Sequence, residues 1–129
     1  MVVDSSAIFA ILFKEPERER FLDAILNAAE AAIGAPTLLE CRIVALRRAG
    51  AEWNRKLALL LEKLGLQVIP FDAEHERIAT HAFEVYGKGT GRGGLNYGDC
   101  LCYAIARRRN DALLYKGEDF ARTDLSSAL

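Results

Sequence analysis

Four acidic residues, far apart in the sequence, could form one reactive site. Asp4 ends a short apolar run at the start of the chain, and Asp119 follows another near residue 115. Glu40 and Asp99 fall in the first turns of two predicted helices. Crowded carboxylates repel one another unless a divalent cation neutralises them, and an all-oxygen ligand set favours Mg²⁺ or Mn²⁺ over Zn²⁺. The four residues therefore predict a metal-binding crevice, provided that the fold brings them together.

Each acid also has a purely structural explanation. An acid in the first turn of a helix is favoured by the helix dipole by about 0.3–1 kcal/mol. Asp99 could also complete a capping arrangement with Asn96, three residues earlier. Asp4 has apolar residues on both sides, and burying an unpaired carboxylate is costly. We therefore expect Asp4 to be partly buried and compensated by a cation.

The elements that must position these acids follow from the apolar pattern. Short apolar runs predict strands at Met1–Val3, Ala31–Gly34, Leu66–Pro70 and Ala112–Tyr115. Between them, Pro36, Asp72 and Asn96 suit helix starts, and Gly50 and Gly65 suit helix ends. Strands separated by helices predict an α/β fold with a mostly parallel sheet. Ligands bind at the carboxyl ends of such strands, so the four acids should converge there.

A further predicted helix begins near Pro16 and places Phe21, Ile25 and Ala28 on one face. The glycine-rich stretch at residues 87–94 contains Gly89, Gly91 and Gly94 in the spacing of a dinucleotide-binding motif. Glycines at that spacing indicate a nucleotide-binding site only where they directly follow a strand and lie at the start of a helix. Here the stretch follows a predicted helix, so we interpret it as a surface connection.

Composition is that of an ordinary globular protein. Of 129 residues, 51% are apolar and 27% charged, which suits one domain spanning residues 1–129. The formal net charge of −1 argues against non-specific coating of nucleic acid. Neither a membrane span nor a signal peptide is predicted, and Cys41, Cys100 and Cys102 are interpreted as reduced thiols. We therefore expect a cytoplasmic location.

Four segments, taken in order, resemble the motifs of PIN-domain ribonucleases. They are Val2-Val3-Asp4-Ser5-Ser6-Ala7, Thr37-Leu38-Leu39-Glu40, Leu95-Asn96-Tyr97-Gly98-Asp99-Cys100-Leu101 and Leu113-Leu114-Tyr115-Lys116-Gly117-Glu118-Asp119-Phe120. No single motif is specific, but together they cover the chain from residue 2 to residue 120. The length is similar to that of VapC toxins of type II toxin–antitoxin systems.

The resemblance implies a PIN-like fold, with a mostly parallel central sheet of four to five strands flanked by helices. It also implies a Mg²⁺-dependent endoribonuclease, with Mn²⁺ as an alternative ion, in which metal-activated water hydrolyses RNA. The four acids match the catalytic and metal-binding acids of the family, and Ser6 matches its small hydroxyl residue. Glu118 could replace Asp119 as the fourth acid. Tyr115 and Lys116 stand where the family more often has Thr or Ser.

The implied partners are an RNA substrate, such as tRNA or another structured RNA, and a VapB-like antitoxin. Near-neutral net charge is compatible with RNA binding if basic residues rim the acidic crevice. Residues predicted to lie in loops near that edge are Lys14, Lys88, Arg92, Lys116 and Arg122.

Two apolar segments predict a binding groove. Their members are Phe9, Ile11, Leu12 and Phe13 in the first segment, and Trp53, Leu57, Leu60 and Leu61 in the second. These apolar residues are more numerous than one face of a core requires. We therefore expect some of them to form a groove for the antitoxin or the interface of a homodimer. The alternative is that all of them are buried in the core. A homodimer and a toxin–antitoxin hetero-oligomer are the assemblies that the resemblance implies.

Two other functions remain open at this stage. The same acids could serve a metal-dependent nuclease that is not a toxin, or a phosphatase. Alternatively, the chain could be a catalytically inactive PIN-like module that binds proteins, and it would then bind neither Mg²⁺ nor Mn²⁺.

Overall fold

A computed structural model describes residues 1–129, except for the side chain of Ala49. In chain order, the described residues form β1 (Val2–Val3), α1 (Ser5–Leu12), α2 (Arg18–Leu26), β2 (Ala32–Gly34), α3 (Ala35–Ala49), α4 (Ala51–Leu64), β3 (Gln67–Ile69), α5 (Ala73–Tyr86), α6 (Tyr97–Arg109) and β4 (Leu113–Leu114). The strands pair in parallel in the order β3-β2-β1-β4. The predicted α/β fold with a parallel sheet is therefore confirmed.

Helices cover both faces of the sheet, and the paired strands β1 and β4 contribute side chains to each face. Val3 and Leu114 are buried against the helices α1 to α4, whereas Val2 and Leu113 are buried against α5 and α6. Successive residues of a strand point to opposite faces, so even two-residue strands contribute to both cores.

Most helix boundaries agree with the sequence signals. Gly50 and Gly65 follow the last residues of α3 and α4, and both have positive φ, which glycine adopts without strain. One expectation was wrong. The helix that was expected near Pro16 begins at Arg18 and ends at Leu26, so Ala28 lies beyond it.

The glycine-rich stretch connects two helices, α5 and α6, as its interpretation as a connection requires. Its ends are joined by a parallel bridge between Gly87 and Leu95, and Lys88 N donates a hydrogen bond to Leu95 O at 2.9 Å. The stretch therefore lacks the strand-to-helix context of a dinucleotide site.

Among the described helices, none is long and apolar enough to cross a membrane. The three cysteines are buried free thiols.

Candidate active site

The four predicted acids line a single cavity of about 430 Å³. Asp4 directly follows β1, Glu40 lies in α3 immediately after β2, and Asp119 follows β4. Asp99 lies in the first turn of α6. The cavity therefore lies at the carboxyl ends of the parallel strands, where open α/β sheets bind their ligands.

Asp4 is buried, with 4% of its surface exposed, and it caps the N-terminus of α1. Its Oδ2 accepts hydrogen bonds from the backbone N of Ser6, at 3.0 Å, and from Ser6 Oγ. Burial, followed by the charge of Asp4, raises the pKa of the adjacent Cys102 thiol, which therefore stays protonated. None of the ion pairs among the described side chains involves Asp4, so the expected cation is not supplied by a Lys, Arg or His.

Ser6 connects the first acid to the loop that carries the last one. Its hydroxyl donates to Asp4, and the same oxygen accepts a hydrogen bond of 2.9 Å from the backbone N of Lys116. The loop after β4 is thereby fixed against the start of α1, with Asp119 facing the cavity.

Asp99 takes part in a helix cap and also lines the cavity with the other three acids. It forms a capping box with Asn96: Asn96 N donates to Asp99 Oδ2 and Asp99 N donates to Asn96 Oδ1, both at 2.9 Å. Burial, and then the charges of Asp4, Asp119 and Glu40, raise the pKa of Asp99 to about 6, against the hydrogen bond from Asn96. Asp99, which completes the capping box of α6, therefore also belongs to a cluster of mutually repelling carboxylates.

Gly98 allows Glu40 to approach the start of α6. A Cβ at Gly98 would lie 2.8 Å from Glu40 Oε2, closer than carbon and oxygen atoms tolerate. We did not single out Gly98 from the sequence. One feature of the sequence could have identified it. Glycine is disfavoured in helices, so a glycine in the first turn of a predicted helix indicates that another group approaches the backbone closely there.

The fourth acid facing the cavity is Asp119. Glu118 is exposed and is not among the residues that line the cavity. Gly94, from the glycine-rich stretch, lies close to Asp119, since a Cβ there would be 3.5 Å from Asp119 Oδ1.

The donor set fits a hydrated Mg²⁺ or Mn²⁺ ion. Every candidate ligand is an oxygen, and none of the ion pairs among the described side chains involves the four acids. Among the described residues, no three His, Cys, Asp or Glu side chains already form a metal-binding group. Mg²⁺ usually keeps several waters and binds through only one or two carboxylates, so such a ready-made cage is not required.

The predicted basic rim is only partly at the cavity. Lys116 lines it, and its Nζ pairs with Glu15 and, at 3.0 Å, with Glu17. The other predicted cations are exposed and do not line this cavity; they are Lys14, Lys88, Arg92 and Arg122.

Comparison with known proteins agrees with the fold. A family model described as the PIN domain matches residues 1–125. The chain therefore belongs to the PIN-domain family.

Two curated relatives are VapC ribonucleases of Mycobacterium tuberculosis. The chain is 38% identical to Ribonuclease VapC30 over 127 residues, which is 98% of this chain and 97% of that protein. It is 40% identical to Ribonuclease VapC28 over 130 residues, which is 100% of this chain and 98% of that protein. The resemblance to the VapC branch is thus confirmed. PIN-domain VapC ribonucleases generally depend on a divalent metal.

Two solved structures share the fold at low sequence identity. M. tuberculosis VapC20, described as a toxin that cleaves the sarcin-ricin loop, matches with a TM-score of 0.77 and 16% identity, covering 96% of this chain and 95% of that one. A toxin–antitoxin complex from Klebsiella pneumoniae matches with a TM-score of 0.75 and 15% identity, covering 99% and 97%.

Proposed function

We propose that this protein is the toxin of a type II toxin–antitoxin pair, an endoribonuclease that hydrolyses RNA phosphodiesters with Mg²⁺ or Mn²⁺. The observation that carries the proposal is the set of four carboxylates on one cavity, without an ion pair to Asp4 among the described residues. Relatives that match nearly the whole chain and are named ribonucleases support it.

In this proposal, Asp4, Glu40, Asp99 and Asp119 hold the ion, one or two of them directly and the others through its water molecules. When bound, a divalent ion supplies a Lewis acid for the phosphate and a water of lowered pKa. Asp4 is the best-fixed ligand, because burial and the Ser6 hydrogen bonds restrict its orientation. Ser6 acts indirectly, by orienting Asp4 and the loop that carries Asp119.

The basic residues contribute to RNA binding at different distances from the reaction. Lys116 is placed to contact a phosphate beside the cavity, although Glu15 and Glu17 compete for its charge. Lys14, Lys88 and Arg92 lie further out and would add salt-dependent affinity. The RNA is a structured one such as tRNA.

An antitoxin provides the control that the domain needs. The solved toxin–antitoxin complex of the same fold supports a protein partner. Of the predicted groove residues, Ile11, Leu12 and Leu57 are fully or nearly fully buried and belong to the core, whereas Phe9, Phe13, Trp53, Leu60 and Leu61 are partly buried against it. Leu39, Ile43 and Leu46 are exposed at helical spacing on α3, which adds an apolar surface for a partner helix. The assembly we propose is a homodimer bound to a VapB-like antitoxin in the cytoplasm, where buried free thiols persist.

The test measures cleavage of total RNA by the purified protein with Mg²⁺, with Mn²⁺ and with a chelator. We expect cleavage only with the ions, leaving 5′-phosphate and 3′-hydroxyl ends, and none with Asp99→Asn. DNA and phosphomonoesters, assayed beside the RNA, distinguish a non-toxin nuclease or a phosphatase. Absence of both cleavage and ion binding would instead support the inactive protein-binding module.

A further inference from the structure

A second cavity adjoins the acidic one and differs from it in chemistry. It has a volume of about 530 Å³ and lies between α5 and α6. Phe71, Phe83, Tyr97 and Leu101 form much of its apolar lining. Tyr97, the first residue of α6, lines both cavities.

Its aromatic side chains are accessible. Tyr97 is 80% exposed and Phe83 is 47% exposed, although both are large and partly apolar. Only Gly98 separates Tyr97 from Asp99 in the first turn of α6. A group held against Tyr97 is therefore held beside the proposed reaction centre.

The charges of this second cavity select against a phosphate and in favour of a base. Glu76 and Glu84 are among its lining residues and would repel a phosphate group. Unpaired nucleic-acid bases stack on aromatic side chains, and carboxylates accept hydrogen bonds from exocyclic amines of bases. Thr80 Oγ1 donates to Glu76 Oε1 at 2.8 Å, which fixes this carboxylate at the cavity.

We infer that this second cavity binds one unpaired base of the RNA, next to the phosphate that is cleaved. Tyr97 and Phe83 provide the stacking surface. Glu76 and Glu84 favour bases with an exocyclic amine, namely adenine, cytosine and guanine, over uracil. The inference rests on the proposed ribonuclease function and adds a substrate preference to it.

The experiment compares an RNA oligonucleotide with the same oligonucleotide carrying an abasic ribose beside the cleaved phosphate, which is a phosphodiester without that base. Removal of one stacking surface should lower kcat/KM for the intact RNA relative to the abasic oligonucleotide by about 5- to 140-fold in Tyr97→Ala. Tyr97→Phe keeps the ring and should restore most of this ratio. Leu59→Ala, which removes an exposed apolar side chain on α4, is the matched control and should leave the ratio unchanged.

The carboxylates are tested with oligonucleotides that differ at a single position. Wild-type protein should prefer adenine, cytosine or guanine over uracil at one position flanking the cut, and the double variant Glu76→Gln with Glu84→Gln should lose this preference.

Three outcomes would overturn the inference. One is an unchanged ratio in Tyr97→Ala, and another is an equal loss on both substrates, which would mean that Tyr97 supports only the acidic site. The third is dissociation of a wild-type dimer by Tyr97→Ala, measured by light scattering, because a second copy of the chain would then occupy the cavity. If wild-type protein hydrolysed neither substrate with Mg²⁺ or Mn²⁺, the proposed function itself would fail, and the inference with it.

Discussion

The two ends of α6 carry opposite charges, and among the described side chains these charges form ion pairs at only one of the two ends. At the C-terminal end, three consecutive arginines are paired: Arg107 with Asp124, Arg108 with Asp72 and Glu74, and Arg109 with Glu30 and Asp111. At the N-terminal end, Asp99 shares its cavity with three further acids, and burial together with their charges raises the pKa of Asp99.

The helix dipole favours cations at the C-terminal end and acids at the N-terminal end, so it does not distinguish the two ends. The ends differ in whether their charges form ion pairs. Paired surface charges contribute modestly to stability and to the docking of α5 on α6. Unpaired, partly buried carboxylates cost stability, and such perturbed groups cluster at functional sites. We therefore propose a structural role for the C-terminal end of α6 and a chemical role for its N-terminal end.

The largest effect is expected from Asp4→Asn at the chemical end. Loss of one negative ligand oxygen should lower RNA hydrolysis by more than about 100-fold, since disturbing even the groups behind a metal ligand costs 10- to 100-fold. The fold should survive, because asparagine also caps helices well. Hydrolysis rates and the thermal midpoint are the measurements. Asp23→Asn, the same change at an exposed position of α2, is the control. A fully active Asp4→Asn protein would contradict the site assignment.

Gly98→Ala should affect the same end without replacing an acid. The added methyl group would displace the Glu40 carboxylate and weaken Mn²⁺ binding by about tenfold. Stability should be equal or higher, because alanine is favoured over glycine within a helix by about 1 kcal/mol. Isothermal titration with Mn²⁺ and urea unfolding measure the two quantities. If this variant bound Mn²⁺ as tightly as the wild-type protein, the position of the Glu40 carboxylate would not matter for metal binding.

Asp72→Ala tests the paired end. Asp72 caps α5 by accepting from Glu74 N at 3.0 Å and His75 N at 3.2 Å, and Arg108 holds the pKa of Asp72 well below its usual range. We expect a loss of about 0.5–2 kcal/mol in the free energy of unfolding, measured in urea, with unchanged hydrolysis. A double-mutant cycle with Arg108→Ala separates the ion pair from the cap.

The smallest effect concerns pH, measured without metal. The pKa of Asp99 in the folded protein, about 6, lies above its ordinary value, so the fold disfavours ionisation. The contribution of Asp99 to stability is therefore present at low pH and is lost as the pH rises from about 4 through 6. For Asp99→Asn we expect this fall to shrink by an amount of the order of 1 kcal/mol, because Asp99 is partly exposed and solvent screens its charge. The thermal midpoint of both proteins between pH 4 and pH 7 in a chelator provides the comparison.

The fold was predictable to the extent that it depends on local pattern. Apolar runs located the strands, and Asp72 and Asn96 identified two helix starts because side-chain caps act within three residues. The strands are shorter than those runs, since pairing with neighbours decides where a strand ends.

The contacts that shape the site were not predictable, because they join distant parts of the chain. The close approach of Gly98 to Glu40 depends on how α6 packs against α3. The pairing of Lys116 with Glu15 and Glu17 joins the loop after β4 to the segment between α1 and α2. In both cases the residue types are visible in the sequence, but their partners are set by packing.

The hydrogen bond from Lys116 N to Ser6 Oγ has a consequence for how the protein is made. Synthesis produces Asp4 early and Asp119 late, and the loop that carries Asp119 is anchored only after β4 has paired with β1. A nascent chain that has not reached β4 thus has three of the four acids and lacks the anchor. The complete site consequently cannot form on a translating ribosome before Asp119 has been synthesised.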